Sequence, residues 1–380
     1  MIYLDNSATT KPDPKVLAAF LKVNEEFWFN PSSIHEGGEK ANKLLESARA
    51  QIAGLLKTDS KSVLFTSGGT EGANFVLKQA AVDRESIGKH ILISTVEHPS
   101  VLEVGKYLST RGFEVEWLEV NTDGMVLVEE LERKIRKDTS VISIQHINNE
   151  LGTLQPIRDL VKVARARSRA VFHVDAVQSV GKVVVDFDSL PVDWITLSAH
   201  KFHGIKGTGI VACHSKIHLE PLIHGGGQEF GLRSGTTAVA QAVSTAKAFR
   251  LAVESLEQTS THLARLKASL VSFFYEHPFV TVLTPASSAP HIVTIAVKGV
   301  TGEVLVNALE KKGIYVSTSS ACSSKKTTRS HVLEAIGLSK ELIDGVIRIS
   351  MGKDTTEQDV QTLQDVMNEI LRQLERNLKV

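Results

Sequence analysis

A chain of 380 residues with 42% hydrophobic content is long enough to bury one large core and a smaller second one. Lysine plus arginine and aspartate plus glutamate both number 43, so no bulk attraction to nucleic acid or to an anionic membrane is implied. No apolar run approaches membrane-spanning length, and the opening Met1-Ile-Tyr-Leu-Asp5 lacks a basic and then apolar leader. With only 2 cysteines there is neither a disulfide framework nor a C-x-x-C metal pair, so the expectation is a cytoplasmic protein without a metal.

From about residue 60 to 215, strand-like runs alternate with amphipathic helical stretches, the pattern of an α/β parallel sheet with right-handed crossovers. Val63-Leu-Phe-Thr66 reads as a strand, Ser67-Gly-Gly-Thr70 as a tight turn and Glu71 to Ala80 as the start of a helix. Together they make an anion cradle: Gly69 lets the backbone approach, first-turn N–H groups point outward and the Thr70 hydroxyl adds a bond. A Walker-type P-loop competes, but the lysine it needs after the second glycine is absent. The strand His90–Ser94 leads to His98 and Pro99, where a histidine either caps a turn or faces a ligand. The spacing of Leu160, Val161 and Ala164 predicts a helix over Ile157–Arg169 with a basic, solvated outer face.

Two further runs, Ala170–Val174 and Val192–Leu197, close on Asp175-Ala-Val-Gln178 and Ser198-Ala-His-Lys201. Each delivers polar side chains to the C-terminal edge of a parallel strand, where ligands bind in open α/β sheets. Either Asp175 and Lys201 form an ordinary ion pair, or they are the pairing that pyridoxal phosphate requires. In the second case the lysine links to the cofactor and the carboxylate keeps the pyridine nitrogen protonated. The nearby Lys206 lies between glycines in a loop that would position an amine poorly. Cys213, in the apolar strand Gly209–Cys213, reads as an inert core thiol.

From Thr237 to about Pro278 the sequence is helical in character and bridges to a second unit. That unit would hold Ile292–Val297, Gly302–Lys312, Val346–Ser350 and a final amphipathic helix, with the N-terminal segment packed across it. Cys322 lies in Ser317–Ser330, which has no apolar periodicity and reads as an exposed loop; Lys325, Lys326 and Arg329 should favour its thiolate. Arg348 interrupts an apolar strand, and a buried guanidinium needs a partner. That partner is either a structural carboxylate or the α-carboxylate of an amino acid held through two hydrogen bonds.

Motifs along essentially the whole chain carry a specific resemblance. Tyr3-Leu-Asp-Asn-Ser-Ala-Thr-Thr10, Asn30-Pro-Ser-Ser33 with His35, Thr66-Ser-Gly-Gly-Thr-Glu71, Glu97-His98, Asn148-Asn-Glu-Leu-Gly152, His173-Val-Asp-Ala-Val-Gln178, Ser198-Ala-His-Lys201, Gly225-Gly-Gly-Gln-Glu229, Arg233-Ser-Gly-Thr236 and Ser320-Ala-Cys322 occur in that order. The chain resembles the cysteine desulfurases of the NifS/IscS type, class V aminotransferase-like enzymes that use pyridoxal 5'-phosphate. The resemblance implies an α/β fold, the pyridoxal phosphate-dependent transferase fold type I. It places a large domain, with a mainly parallel sheet flanked by helices, at residues 14–255. A smaller α+β domain, formed by residues 1–13 and 256–380, carries the Cys322 loop and Arg348.

By the same resemblance Lys201 carries the cofactor, Asp175 faces the pyridine nitrogen and Gln178 reaches the phenolic oxygen. His98 stacks on the ring and is a candidate proton carrier; Gly69, Thr70, Ser198 and His200 hold the phosphate, joined by Thr236 from the second subunit of a homodimer. Arg348 takes the carboxylate of L-cysteine, and Asn149 contacts cofactor or substrate. Lys201 then removes the α-proton, Cys322 takes the sulfur as a persulfide, and alanine leaves. The span from Cys322 to His331-Val-Leu333 matches the subclass with a long cysteine loop, which can reach an external acceptor. Phe230 stands where relatives commonly carry arginine, and Thr318-Ser319 replaces the more usual serine-glycine. Only Lys379 and Val380 follow the last apolar residue of the final helix, without the tail by which scaffold-feeding relatives dock. The expected acceptor is therefore a sulfurtransferase that thiolates tRNA or builds a thio-cofactor, with general iron–sulfur cluster assembly as the alternative and no direct binding of nucleic acid or membrane. A β-lyase or aminotransferase of the same fold type would share Lys201 and Asp175 without needing Cys322.

Overall fold

The computed structural model describes residues 1–214, 220–318 and 329–378. Its strands form where β-branched and aromatic residues run together. They are β1 (Ile2–Tyr3), β2 (Val63–Thr66), β3 (His90–Ser94), β4 (Glu114–Leu118), β5 (Thr139–Ser143), β6 (Val171–Asp175), β7 (Trp194–Ser198) and β8 (Gly209–Cys213), then β9 (Val280–Val282), β10 (Ile292–Val297), β11 (Ile314–Tyr315), β12 (Ser317–Thr318) and β13 (Val346–Ser350).

The larger sheet has seven strands in the order β2-β8-β7-β6-β5-β3-β4. Strands β7, β6, β5, β3 and β4 pair in parallel, and β8 runs antiparallel to both β7 and β2. Because side chains alternate across a strand, each strand feeds two cores. Leu92, Ile142, Phe172 and Ile195 enter a core shared with the helices Glu36–Leu56, Ile157–Arg167 and Val239–Glu254. Ile91, Ile93, Val141 and Trp194 face the helices Gly69–Asp83 and Pro99–Ser109. Helices cover both faces, which is why the inner strands read as unbroken apolar runs. Phe172 and Trp194, buried on opposite faces, each contribute on the order of 2 to 3 kcal/mol.

A four-stranded antiparallel sheet, β12-β13-β10-β9, packs Val293, Ile295, Ile347 and Ile349 against the helices Leu256–Tyr275, Gly302–Glu310 and Glu357–Leu378. The N-terminus belongs to this side: β1 pairs in parallel with β11, and Asp5 bridges Ser350. The chain then crosses to the larger sheet, where the Thr10 N–H donates to the His200 carbonyl at 2.9 Å and Asp13 pairs with Lys353.

Several elements begin or end away from where periodicity puts them. The helix expected over Ile157–Arg169 stops at Arg167, because the Ser168 N–H and hydroxyl both turn back onto the Ala164 carbonyl and the Ser168 hydroxyl also accepts the Ala170 N–H. Strands β6 and β7 each start later and end one residue later than their apolar runs, so Asp175 and Ser198 sit inside the ladder, opposite Thr196 and Gly209. The long helical stretch after Thr237 is two helices, Val239–Glu254 and Leu256–Tyr275, broken at Ser255. The helix expected to start at Glu71 starts at Gly69.

Candidate active site

The strand ends are brought to one cavity by the close approach of the Gly68 turn to β8. Gly68 has φ +156°, and a Cβ on Gly209 would lie 2.6 Å from Gly68 backbone atoms, so both positions require glycine. The helix Gly69–Asp83 therefore starts directly beside Ser198, and no side chain caps its N-terminus. Its first-turn N–H groups are free to meet an anion. Gly69, Thr70, Ser198 and His200 line this end of a cavity of about 260 Å³. His200 is fixed by a 3.1 Å hydrogen bond between Nδ1 and the Thr9 hydroxyl; burial, followed by Lys201, Lys206 and Lys182, pushes its pKa down to about 4.

Lys201 and Asp175 line the middle of the same cavity. The Lys201 amine donates to the carbonyls of Ser7 and Ala8. Beneath it the buried Lys182 amine donates to the Lys201 carbonyl at 2.5 Å; burial and then the charge of Lys201 lower Lys182 to about 7. Lys206 is exposed and does not line the cavity. Burial pushes Asp175 up to about 6, with the Val177 N–H and Lys201 pulling it partly back. Gln178 lines the cavity with its amide donating to the Ser7 carbonyl at 3.0 Å, the acceptor it shares with Lys201.

His98 caps the helix Pro99–Ser109: its Nδ1 accepts the Ser100 N–H at 3.1 Å. That bond leaves the proton of the neutral ring on Nε2. Burial, then Lys201 and His331, push His98 down to about 4, so the ring is neutral across the physiological range. Its neighbour Glu97 is fully buried and raised well above the usual carboxylate range, first by burial and then by Asp175. Glu97 Oε1 accepts the Gln145 N–H, and Oε2 has no partner among the described residues.

Arg348 reaches the cavity from the centre of β13 and is 2% exposed. Nη2 donates to Asp5 Oδ1 at 2.8 Å, Nη1 donates to the Asn149 carbonyl at 2.9 Å, and Nε is buried with no partner among the described residues. Both sequence readings of Arg348 therefore meet: it has a structural carboxylate, and it also faces the space a ligand would fill. Asn149 lines that space as well. Next to it, Glu150 is pushed up to about 7 by burial, against the Ser330 hydroxyl and Arg348.

Cys322 lies outside the described residues, together with Ser319, Lys325 and Lys326. The residues on either side are tied to the site. Ser317 pairs across the ladder with Arg348. Ser330 donates to Glu150 Oε2 at 2.5 Å and caps the helix His331–Ala335, and His331 Nε2 donates to the Glu97 carbonyl at 2.9 Å. Thr236 is exposed and does not line this cavity. Phe230, the departure in that region, covers the buried Arg49 at 4.8 Å, while Arg49 makes a 2.7 Å pair with Glu229. Glu229 and Phe230 both adopt the left-handed conformation, with φ of 49° and 60°. This strain of roughly 1 to 3 kcal/mol per residue is offset by the buried pair.

The cavity fits pyridoxal phosphate. A buried carboxylate held above its usual pKa, its burial only partly offset by the charge of Lys201, would be stabilised further by a protonated ring nitrogen; an uncapped helix start suits a phosphate; and an amine stands beside both. Sequence reading missed Asp5, Ser7, Ala8, Lys182 and Glu150 as parts of the site. The N-terminal motif Tyr3–Thr10 was the only signal for the first three.

Residues 2–363 match the family described as aminotransferase class-V. A NifS/IcsS protein homologue of Lactobacillus delbrueckii subsp. bulgaricus is 41% identical over 360 residues, 94% of this chain and 93% of that protein. A protein of Methanosarcina thermophila named cysteine desulfurase IscS is 39% identical over 378 residues, 99% of this chain and 93% of its own. Among solved structures, a NifS-like protein superposes with a TM-score of 0.92 at 39% identity, covering 98% of this chain and 99% of that one. A structure described as SspA in complex with cysteine has a TM-score of 0.81 at 31% identity, covering 94% of this chain and 100% of that one.

Proposed function

The chain belongs to the class-V aminotransferase family, and from that membership we infer a pyridoxal phosphate-dependent cysteine desulfurase whose chemistry rests on Lys201, Asp175 and Cys322. The protein converts L-cysteine to L-alanine and passes the sulfur on. Written as a balance, L-cysteine and the Cys322 thiol give L-alanine and a Cys322 persulfide, with no external oxidant or reductant. The observation that carries the reading is the convergence of Lys201, Asp175 and the uncapped helix start at Gly69 on one cavity with Arg348.

Pyridoxal phosphate, when bound, supplies an aldehyde that links to amines and a protonated ring that takes up the electrons released at the substrate Cα. The protein's own residues do the rest. The first turn after Gly68, with Thr70, Ser198 and His200, would hold the phosphate, and Asp175 would keep the ring nitrogen protonated. Gln178, whose amide donates to the Ser7 carbonyl, would hold the ring, and His98, with Nδ1 committed to the Ser100 N–H, would offer an Nε2–H. Lys201 would be the linking amine and the base for the α-proton, its Nζ held in place by the Ser7 and Ala8 carbonyls. Arg348 and Asn149 hold the substrate carboxylate.

The assembly we propose is a cytoplasmic homodimer in which Thr236 completes the phosphate site of a second copy. Its support is that Thr236 is exposed and does not line its own cavity. Among the described residues no helix is long and apolar enough to cross a membrane. The cores on the two faces of the larger sheet lie within residues 14–255 and that of the smaller sheet within residues 1–13 and 256–380, which supports a division there, and a fourth cluster with Val96 and Leu151 against Val332 and Val346 joins the two. The acceptor we propose is a protein with an acidic surface, a sulfurtransferase that thiolates tRNA or builds a thio-cofactor. Support comes from Lys325, Lys326 and Arg329 in the sequence, with Arg329 partly neutralised by an exposed 3.4 Å pair to Asp344.

Product analysis tests the reaction. The purified protein with pyridoxal phosphate and L-cysteine yields alanine and a persulfide on Cys322, and Cys322→Ala ends persulfide formation while leaving the bound cofactor's spectrum intact. Pyruvate as the main product, or alanine turnover in Cys322→Ala equal to wild type without added thiol, would mark a β-lyase or another enzyme of the fold.

A further inference from the structure

We infer that Asp5 is a positioning residue that attenuates the Arg348 anchor and so sets how tightly the enzyme holds an α-amino acid. The inference rests on the reading that Arg348 takes the substrate carboxylate.

Asp5 does not line the cavity, whereas Arg348 does, so Asp5 occupies the side of the guanidinium turned away from the ligand. Its position is set by backbone. Asp5 bridges Ser350 on β13, the next N–H, from Asn6, donates to the Ser350 carbonyl at 3.0 Å, and the Tyr3 hydroxyl donates to the Asp5 carbonyl at 3.0 Å. The aspartate is therefore a fixed part of the site rather than a side chain that a ligand must displace. The second carboxyl within electrostatic reach of Arg348 is Glu150, which is fully buried, accepts the Ser330 hydroxyl and is pushed up to about 7. Asp5 is the carboxylate in direct contact with the guanidinium, at 2.8 Å.

The chemistry gives such a counter-charge a purpose. Substrate cysteine and product alanine carry the same α-carboxylate, so any attraction between Arg348 and that group is shared by both. A buried guanidinium with no fixed partner would bind the product as strongly as the substrate and delay its release. With Nη2 on Asp5 and Nη1 on the Asn149 carbonyl, the pair carries no net charge, and what remains for the ligand is directional hydrogen bonding.

The test is equilibrium binding of L-alanine to the cofactor-loaded protein by calorimetry, with steady-state kinetics on L-cysteine beside it. Asp5→Asn removes the charge and keeps an oxygen for Nη2. It should bind alanine about tenfold more tightly or more, as expected for one unit charge lost near the anchor, and lower KM without raising kcat. Asp5→Glu, which keeps the charge, should stay within about threefold of wild type. An aspartate needed only to orient Arg348 gives the opposite sign: alanine affinity unchanged or weaker in a folded, cofactor-loaded Asp5→Asn protein overturns the inference. Arg348→Lys identifies which step failed. If it binds alanine as wild type does, the carboxylate anchor itself is misassigned and the inference falls with it; if it weakens alanine while Asp5→Asn does not strengthen it, only the role of Asp5 falls.

Discussion

The buried amine of Lys182 donates its hydrogen bond to the backbone carbonyl of Lys201, so one lysine supports the peptide unit from which the proposed linking lysine projects. Burial lowers Lys182 from 10.5 to about 7. Between those values the unfolded chain holds a proton that the folded protein does not, so this group makes folding stability rise with pH across the window from about 7 to 10.5. Lys182→Met preserves the length of the side chain and removes that slope, adding a constant loss for the missing hydrogen bond. Denaturant titrations of both proteins at pH 7 and pH 9 check it: parallel pH trends in wild type and variant would count against a depressed Lys182.

Asp175 makes the complementary case. Its carboxyl is raised from 3.8 to about 6, chiefly by burial, so in the cofactor-free protein it binds a proton that the unfolded chain lacks between those values. Its contribution to stability falls as pH rises through that window, and the cost is present in full at neutral pH. Asp175→Asn, which still accepts the Val177 N–H, should stabilise the cofactor-free protein by roughly 1 to 3 kcal/mol at pH 7.5. It should lose about two to three orders of magnitude in turnover when loaded. A cofactor-free variant less stable than wild type would mean that Asp175 is not paying for its burial.

Lys201→Ala tests the assignment of the linking amine. Lys206 is exposed and outside the cavity, and so should not substitute for it. Borohydride reduction followed by peptide mass mapping should place the pyridoxyl adduct on Lys201 in wild type and on no lysine in the variant. An adduct on Lys206 in wild type would reassign the site.

How much of this arrangement was legible beforehand depends on what a side chain can announce. Asp175, Ser198 and Lys201 stood out because each follows an apolar run that must be a strand, and Arg348 because a guanidinium inside such a run demands a partner. The Ser7 and Ala8 carbonyls left no comparable trace, since every residue carries a backbone acceptor and only long-range packing decides which ones face the site. Lys182 carried no sequence signal of its own either; it lines a small second cavity with Asn6, Thr10 and Lys353, residues far from it in sequence. Phe230 was visible as a departure, but its stacking on Arg49 is a contact between segments far apart in sequence.

Transfer of sulfur to the acceptor is the step most exposed to solvent electrostatics. The chain as a whole carries equal numbers of acidic and basic residues, 43 of each, so steering toward an acidic partner has to come from a local cluster, and Lys325, Lys326 and Arg329 flank the persulfide position. Encounter driven by such a cluster slows as ionic strength rises, because the screening length falls to about 8 Å at physiological salt. The rate of sulfur loss from persulfidated enzyme to its acceptor should therefore drop several-fold between low and physiological salt, and Lys325→Ala with Lys326→Ala should flatten that dependence while leaving alanine formation intact. Offering persulfidated enzyme a tRNA-thiolating sulfurtransferase and an iron–sulfur scaffold together, with labelled sulfur, decides the recipient. Preferential loading of the sulfurtransferase is the expected outcome; preferential loading of the scaffold would assign the enzyme to iron–sulfur assembly, and a salt-independent rate would remove the basic cluster from the account.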